Sequence, residues 1–121
     1  MKAKRPGEII HMSFITTTTI RDGKAVVLIS VDNYSRYCFG LAVEKDMPLQ
    51  KVHKHIESIL ISVKEKHPTV KPLFIMAYGK EMLQELESKF AGRASFLFNP
   101  VLADEIAMPE AKLLMGQLFK K

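Results

Sequence analysis

Apolar and polar positions alternate in the first part of the chain, with the period of β-strands. Ile10, Met12 and Phe14 alternate with polar residues in the segment 8–19, which is rich in β-branched side chains. The run AVVLISV, residues 25–31, is apolar on both faces. Strands of that kind are covered on both sides. The pattern therefore predicts two strands, the second of them central in its sheet.

Turn signals separate these strands from each other and from a third. Residues 21–24, Arg-Asp-Gly-Lys, predict a hairpin, because Asp-Gly readily adopts the positive φ of tight turns. Asn33-Tyr34-Ser35 predicts a second turn, and RYCFGLAVE, residues 36–44, a third strand. Together these segments predict an antiparallel three-stranded meander.

The apolar period then changes to that of a helix. Pro48 suits a first helical turn, and the helix is expected to end near His67-Pro68. Its apolar face consists of Leu49, Val52, Ile56, Ile59, Leu60 and Val63. The remaining predicted elements are a strand at 71–77, a helix at 80–90, a strand at 94–99 and a last helix from Pro109 to Phe119.

The order β-β-β-α-β-α-β-α predicts an α/β fold, with a mixed five-stranded sheet and helices on both faces. The same order matches the ribonuclease H-like fold. We expect one domain over residues 1–121, with 1–6 as a loose basic tail.

Composition narrows the class of protein only slightly. The net charge of +5 permits a polyanionic partner without requiring one. The single cysteine, Cys38, excludes an internal disulfide and favours a reducing, cytoplasmic compartment. We expect no membrane partner, because no apolar run is long enough to span a bilayer.

Three segments stand in a fixed order along the chain: PGEIIHMSF (6–14), VDNYSRYCFG (31–40) and FIMAYGKEM (74–82). Taken together, they resemble the catalytic core of retroviral integrases and bacterial insertion-sequence transposases. The second is the most specific, and the resemblance extends over nearly the whole chain. It implies a ribonuclease H-like domain related to DNA integration and recombination.

The resemblance also implies three metal-binding positions. The family holds two Mg²⁺ or Mn²⁺ ions with an Asp-Asp-Glu set, whose first two positions match Ser13 and Ala77. The third matches Glu110, just after Pro109. Glu105 is a weaker candidate, because Pro109 would interrupt a helix that carried it. Since serine and alanine are poor magnesium ligands, we expect no bound metal, no cofactor and no family chemistry.

Further positions of the motif are expected to be structural. Asp32 should cap its turn or pair with Arg36, and Ser35 belongs to the same turn. Gly79 should serve the turn after the fourth strand. Tyr78 departs from the family's usual Asn, which favours natural loss of the site over two designed substitutions.

Other residue chemistry has simpler readings. Ser13 as a nucleophile would need an adjacent base, and His11 is about 7 Å away along the strand. Cys38 reads as a small core residue. The four histidines read as surface groups, and the lysines and arginines as dispersed over several elements.

Three hypotheses for the function stay open at this point. In the first, the chain is an integrase- or transposase-type core without activity that retains weak, non-specific DNA binding. Its length would leave no room for the DNA-binding domains that usually flank such a core. Alternatively, it is a non-catalytic interaction module that forms a homodimer through helices beside the sheet. The third and least favoured is a nuclease with an unorthodox site built from Glu8, Asp32 or Glu110.

Overall fold

The computed structural model describes residues 2–19, 23–44 and 48–119, which form five strands and three α-helices. The strands are β1 (Ile9–Thr19), β2 (Gly23–Asp32), β3 (Cys38–Glu44), β4 (Leu73–Met76) and β5 (Ser95–Phe98). The helices are α1 (Leu49–Lys66), α2 (Leu83–Lys89) and α3 (Pro100–Phe119). A 3₁₀ turn, Lys80–Met82, leads into α2. The element order and the α/β class are as predicted.

The strands form one mixed sheet in the order β3-β2-β1-β4-β5. β2 pairs antiparallel with β1 and with β3, whereas β4 pairs parallel with β1 and with β5. Thr19 and Gly23 are paired across the predicted hairpin, whose residues 20–22 lie outside the described part of the chain. β1 is therefore hydrogen-bonded to β2 along nearly its whole length and to β4 over Ile9–Met12.

Successive side chains of β1 face opposite layers. Ile10 and Met12 pack into a core with α1 and α2, which contains Ile56, Phe74 and Phe90. On the other face, Ile9 and Ile75 pack against Ala103 of α3. A neighbouring cluster joins Ile29, Val31 and the half-buried Cys38 to Ala107 and Ala111. Helices thus cover both faces of the sheet, and small residues on α3 allow that helix to lie close to it.

The last helix begins at Pro100, nine residues before the predicted start at Pro109. The helix starts here because Asn99 caps it: the Asn99 Oδ1 accepts a hydrogen bond from the backbone N–H of Leu102 at 3.1 Å. Pro100 then occupies the first helical position, which suits proline. Pro109 lies inside the helix. The prediction failed because proline was taken as a start signal where the helix accommodates it internally.

The N-terminal segment is docked, in contrast to the predicted loose tail at 1–6. Ala3 is buried, and its N–H donates to the Asn33 Oδ1 at 2.8 Å. The N–H of Gly7 donates to the Asp32 Oδ1 at 3.0 Å. Both partners lie at the turn that follows β2, so this turn anchors the segment.

Of the helices that the structure describes, none has the length and apolar character needed to cross a bilayer.

Gly7 and Gly92 offer a matched test of this docking. Both have positive φ, +80° and +79°, but a Cβ on Gly7 would lie 2.9 Å from a Val63 methyl, whereas one on Gly92 would meet nothing within 4 Å. Gly92→Ala should therefore cost only the left-handed strain, about 1 kcal/mol, and Gly7→Ala about 2–4 kcal/mol, since overpacking is added. Urea unfolding measures both values, and equal losses would contradict the close contact with α1.

Candidate functional site

Ser13 and Ala77 lie side by side in the sheet. Met12 is paired with Met76 in the parallel β1–β4 ladder, and the N–H of Ala77 donates to the Met12 carbonyl at 3.0 Å. Ser13 directly follows Met12, and Ala77 directly follows Met76, so these two residues are neighbours. Ser13 is fully buried, and Ala77 is half-buried just beyond the end of β4. The two sequence-predicted positions are brought together.

The acidic residue that reaches this point is Asp104, not Glu110. The Ser13 hydroxyl donates to the Asp104 Oδ1 at 2.7 Å. Asp104 lies in the second turn of α3, whereas Glu110 is six residues later, about 9 Å further along the helix axis. The expectation for Glu110 followed from the misplaced helix start, because it assumed a first-turn position that Glu110 does not have.

Glu105, the weaker candidate for the third position, lies elsewhere and lines a cavity of about 340 Å³ with Asn33 and Arg36. Among the acids of the unorthodox site, Glu8 precedes β1 and forms an ion pair with Arg5 at 3.6 Å. Glu8, Asp32 and Glu110 do not form a metal-binding group, since the described residues contain no such group of three acids, histidines or cysteines.

The donor set at Ser13, Ala77 and Asp104 does not fit a pair of divalent ions. It offers one carboxylate, already engaged by a hydroxyl, together with a neutral serine and a methyl group. Two-metal sites need several hard, anionic oxygen ligands. Within residues 2–19, 23–44 and 48–119, no three His, Cys, Asp or Glu side chains are grouped as metal ligands.

His11 lies beside this position in a buried polar chain. Its Nδ1 is 2.7 Å from the Leu102 carbonyl, which can only accept, so Nδ1 carries the proton. Its Nε2 then accepts from the Asn33 amide at 2.8 Å. Burial lowers the pKa of His11, and a second proton would leave two N–H groups facing each other. Because both ring nitrogens are occupied, His11 is not available as a base for Ser13.

Asp32 caps the turn between β2 and β3. Its Oδ2 accepts the N–H of Ser35 at 3.1 Å and the Ser35 hydroxyl at 2.6 Å, while its Oδ1 holds Gly7. Arg36 has a φ of 64°, and its guanidinium donates to the Asn33 carbonyl. The carboxylate of Asp32 thus has a structural role, because it holds the turn and the N-terminal segment in place.

Gly79 and Tyr78 form the turn after β4. Gly79 has a φ of 83° and precedes the 3₁₀ turn. Tyr78 is largely exposed, and its ring lies 5.3 Å from that of Phe14. Both residues therefore shape the surface beside Ala77 and add no metal ligand.

Reading all four histidines as surface groups was wrong. His11 is only 2% exposed. His55 on α1 packs on the sheet with its Nε2 2.8 Å from the Ser30 hydroxyl, and burial lowers its pKa to about 4. The ring of His53 lies 5.9 Å from that of Phe90. Histidines at two-residue spacing on α1 fall on either side of its apolar stripe, so both are partly covered.

Asp104 and Asn33 were missed as site residues. Asn33 was predicted only as part of a turn, yet its amide joins the N-terminal segment to His11. An Asn-Pro pair is a usable signal for the start of a helix. A helix start at Asn99-Pro100 would have placed Asp104 in the first turns of the helix, near the sheet.

Comparison with family models, with curated proteins and with solved structures finds no significant match to this chain.

The lowered pKa of His55 predicts acid destabilisation. A histidine with a folded pKa of about 4 and an unfolded pKa of 6.5 contributes stability that is complete above pH 6.5 and is lost as the pH falls toward 4. The full effect is about 3 kcal/mol. We expect the free energy of unfolding to fall between pH 6.5 and 5, where few carboxylates titrate.

His55→Gln is the matched variant, because its amide can still contact Ser30 and does not titrate. Urea unfolding at several pH values should show a shallower loss for this variant than for the parent, with His11 supplying the remainder. Identical pH slopes for the two proteins would show that His55 is not a buried neutral group.

Proposed function

We propose that this chain is a non-catalytic core domain of the integrase and transposase type, with a ribonuclease H-like fold. The observation that carries the proposal is that Ser13 lies next to Ala77 across the β1–β4 pair and also donates a hydrogen bond to Asp104. Ser13 and Asp104 are 91 positions apart in the chain. The resemblance matches Ser13 and Ala77 to the first two positions of the family's acidic set.

The sheet supports the same reading. Its order, β3-β2-β1-β4-β5, has three antiparallel strands followed by two strands parallel to β1. The three resembling segments form β1, the β2–β3 turn and the end of β4, so all three adjoin the central strand. Fold alone does not establish function, because one fold carries many unrelated activities.

Chemistry of the family's kind needs ligands that this site lacks. In two-metal phosphoryl transfer the carboxylates hold both ions and compensate their charge. Here Ala77 has no donor atom, and the Ser13 hydroxyl uses its proton to satisfy Asp104. The arrangement is a partly buried hydrogen bond that joins β1 to α3, and its role is structural.

Restoring the acids tests the proposal. Ser13→Asp with Ala77→Asp would place three carboxylates together, and their mutual repulsion in a buried site should lower the stability of the metal-free protein. Mn²⁺ should relieve that repulsion. At a hundredfold excess over Kd, binding adds about 2.7 kcal/mol, or roughly 10 °C in Tm. The parent protein should show no such shift in millimolar Mn²⁺.

Two further variants identify the third ligand. Adding Asp104→Asn to the restored protein should abolish the Mn²⁺ response, whereas adding Glu110→Gln should leave it intact. Ser13→Asn with Ala77→Asn controls for side-chain size without charge. Calorimetric titration counts the ions, and nicking of supercoiled plasmid reports activity. A restored protein that folds and binds no metal would overturn the assignment of the site.

A further inference from the structure

Basic residues that are dispersed in the sequence meet at one edge of the sheet. At this edge β1, β4 and β5 begin, β2 ends and α1 ends, as the pairing of Ile9 with Leu73 and of Leu73 with Ser95 requires. We call the cleft here the α1-end cleft. Its cations are Lys64 at the end of α1, Lys71 just before β4 and Arg93 just before β5.

The α1-end cleft has a volume of about 260 Å³ and is open to solvent on one side. No carboxylate is among the residues that line it. Leu60 and Val63 form an apolar floor, and Pro68 and Pro72 stiffen the loop along its side. Three basic side chains thus lie around an open depression, and one of them, Arg93, also contacts the carboxylate of Glu57.

Of the three basic side chains, only Arg93 has an ion-pair partner among the described residues. Arg93 is paired with Glu57, its Nη1 lying 3.0 Å from Oε1. Neither Lys64 nor Lys71 has an ion pair within the described part of the chain. Glu65 is two positions after the buried Val63, and at 100° per residue it points outward from α1, away from the cleft.

A simpler explanation covers only part of this cluster. Lysines in the last turn of a helix favourably oppose its dipole, which accounts for Lys64 and Lys66. It does not account for Lys71 or Arg93, which belong to other segments and converge on the same cleft.

We propose that the α1-end cleft binds the phosphodiester backbone of a nucleic acid without sequence specificity. Lysine is a point charge suited to single phosphate oxygens, and no aromatic ring lines the cleft to stack a base. Contacts of this kind position a nucleic acid without reading its sequence. The proposal does not depend on the integrase-type ancestry.

This surface is separate from the Ser13–Ala77–Asp104 site. Along β1, Ser13 lies four positions after Ile9 at the cleft's edge, which corresponds to about 13 Å of strand. Ser13 also faces α3, whereas Leu60 and Val63 belong to the layer on the other side of the sheet. A nucleic acid in the cleft would therefore be bound without being presented to the degenerate site.

The test is fluorescence anisotropy of a short labelled DNA duplex of mixed sequence, titrated with the full chain over a series of NaCl concentrations. We expect binding at low salt, with log K falling linearly against log salt concentration. Each lysine–phosphate contact contributes about 0.9 to that slope, so Lys64→Gln with Lys71→Gln should make it shallower by about 2.

The matched control is Lys54→Gln with Lys112→Gln, which removes the same charge from exposed positions on α1 and α3 outside the cleft. It should leave the slope unchanged, and Lys64→Arg with Lys71→Arg should retain binding. Equal slopes for the two glutamine pairs, or no binding by the parent at low salt, would overturn the proposal. So would binding of phosphatidylserine vesicles through Lys64 and Lys71 with no binding of the duplex.

Discussion

The first part of β1, Ile9–Met12, is hydrogen-bonded to β2 and to β4 and is covered on both faces, and this constraint organises the rest of the structure. Polar side chains that are buried in such a place have no access to water, so each must find a partner inside the protein. In the buried part of β1, the polar side chains on the α3 face are those of His11 and Ser13. Their partners are the Leu102 carbonyl and the Asp104 carboxylate, both in the first turns of α3. The same two bonds thus satisfy the strand and set the position of the helix along it.

The constraint also explains how a degenerate site can remain structurally sound under the proposed ancestry. Carboxylates at the positions of Ser13 and Ala77 would lie beside Asp104 in a buried region, where like charges raise each other's free energy unless a metal compensates them. A hydroxyl and a methyl group at those positions remove the repulsion. The hydroxyl also gives Asp104 a hydrogen-bond donor. Loss of the metal ligands therefore converts a charge cluster into a single interelement bond, and stabilising changes of this kind commonly reduce function at active sites.

Much of the fold could be predicted because strong local patterns agree with the tertiary structure. Alternation in β1 and the helical stripe of α1 each reflect a face that is buried, so the pattern and the packing coincide. The start of α3 could not be predicted from Pro109, because proline in a sequence signals either a helix start or a tolerated interior position, and packing against the sheet decides between them. Because the predicted helix started at Pro109, the expected acid of the candidate site was Glu110, whereas the acid that contacts Ser13 is Asp104. His11 was misread for a related reason: only the crossing of α3 over β1 shows that its two nitrogens have buried partners.

The hydrophobic periodicity of the sequence does not predict which charged side chains come together in the folded protein. Lys64, Lys71 and Arg93 belong to three different segments, each of which reads as an ordinary solvated end of a helix, loop or strand. Their convergence follows from the sheet topology, because parallel β4 and β5 begin at the edge where β1 begins and α1 ends. Sequence composition with a net charge of +5 only permits a polyanionic partner, whereas the topology identifies one place where basic side chains come together. If such a partner binds at this edge, it contacts a surface on the opposite side of the sheet from Ser13 and Asp104, so that binding requires no chemistry at their position.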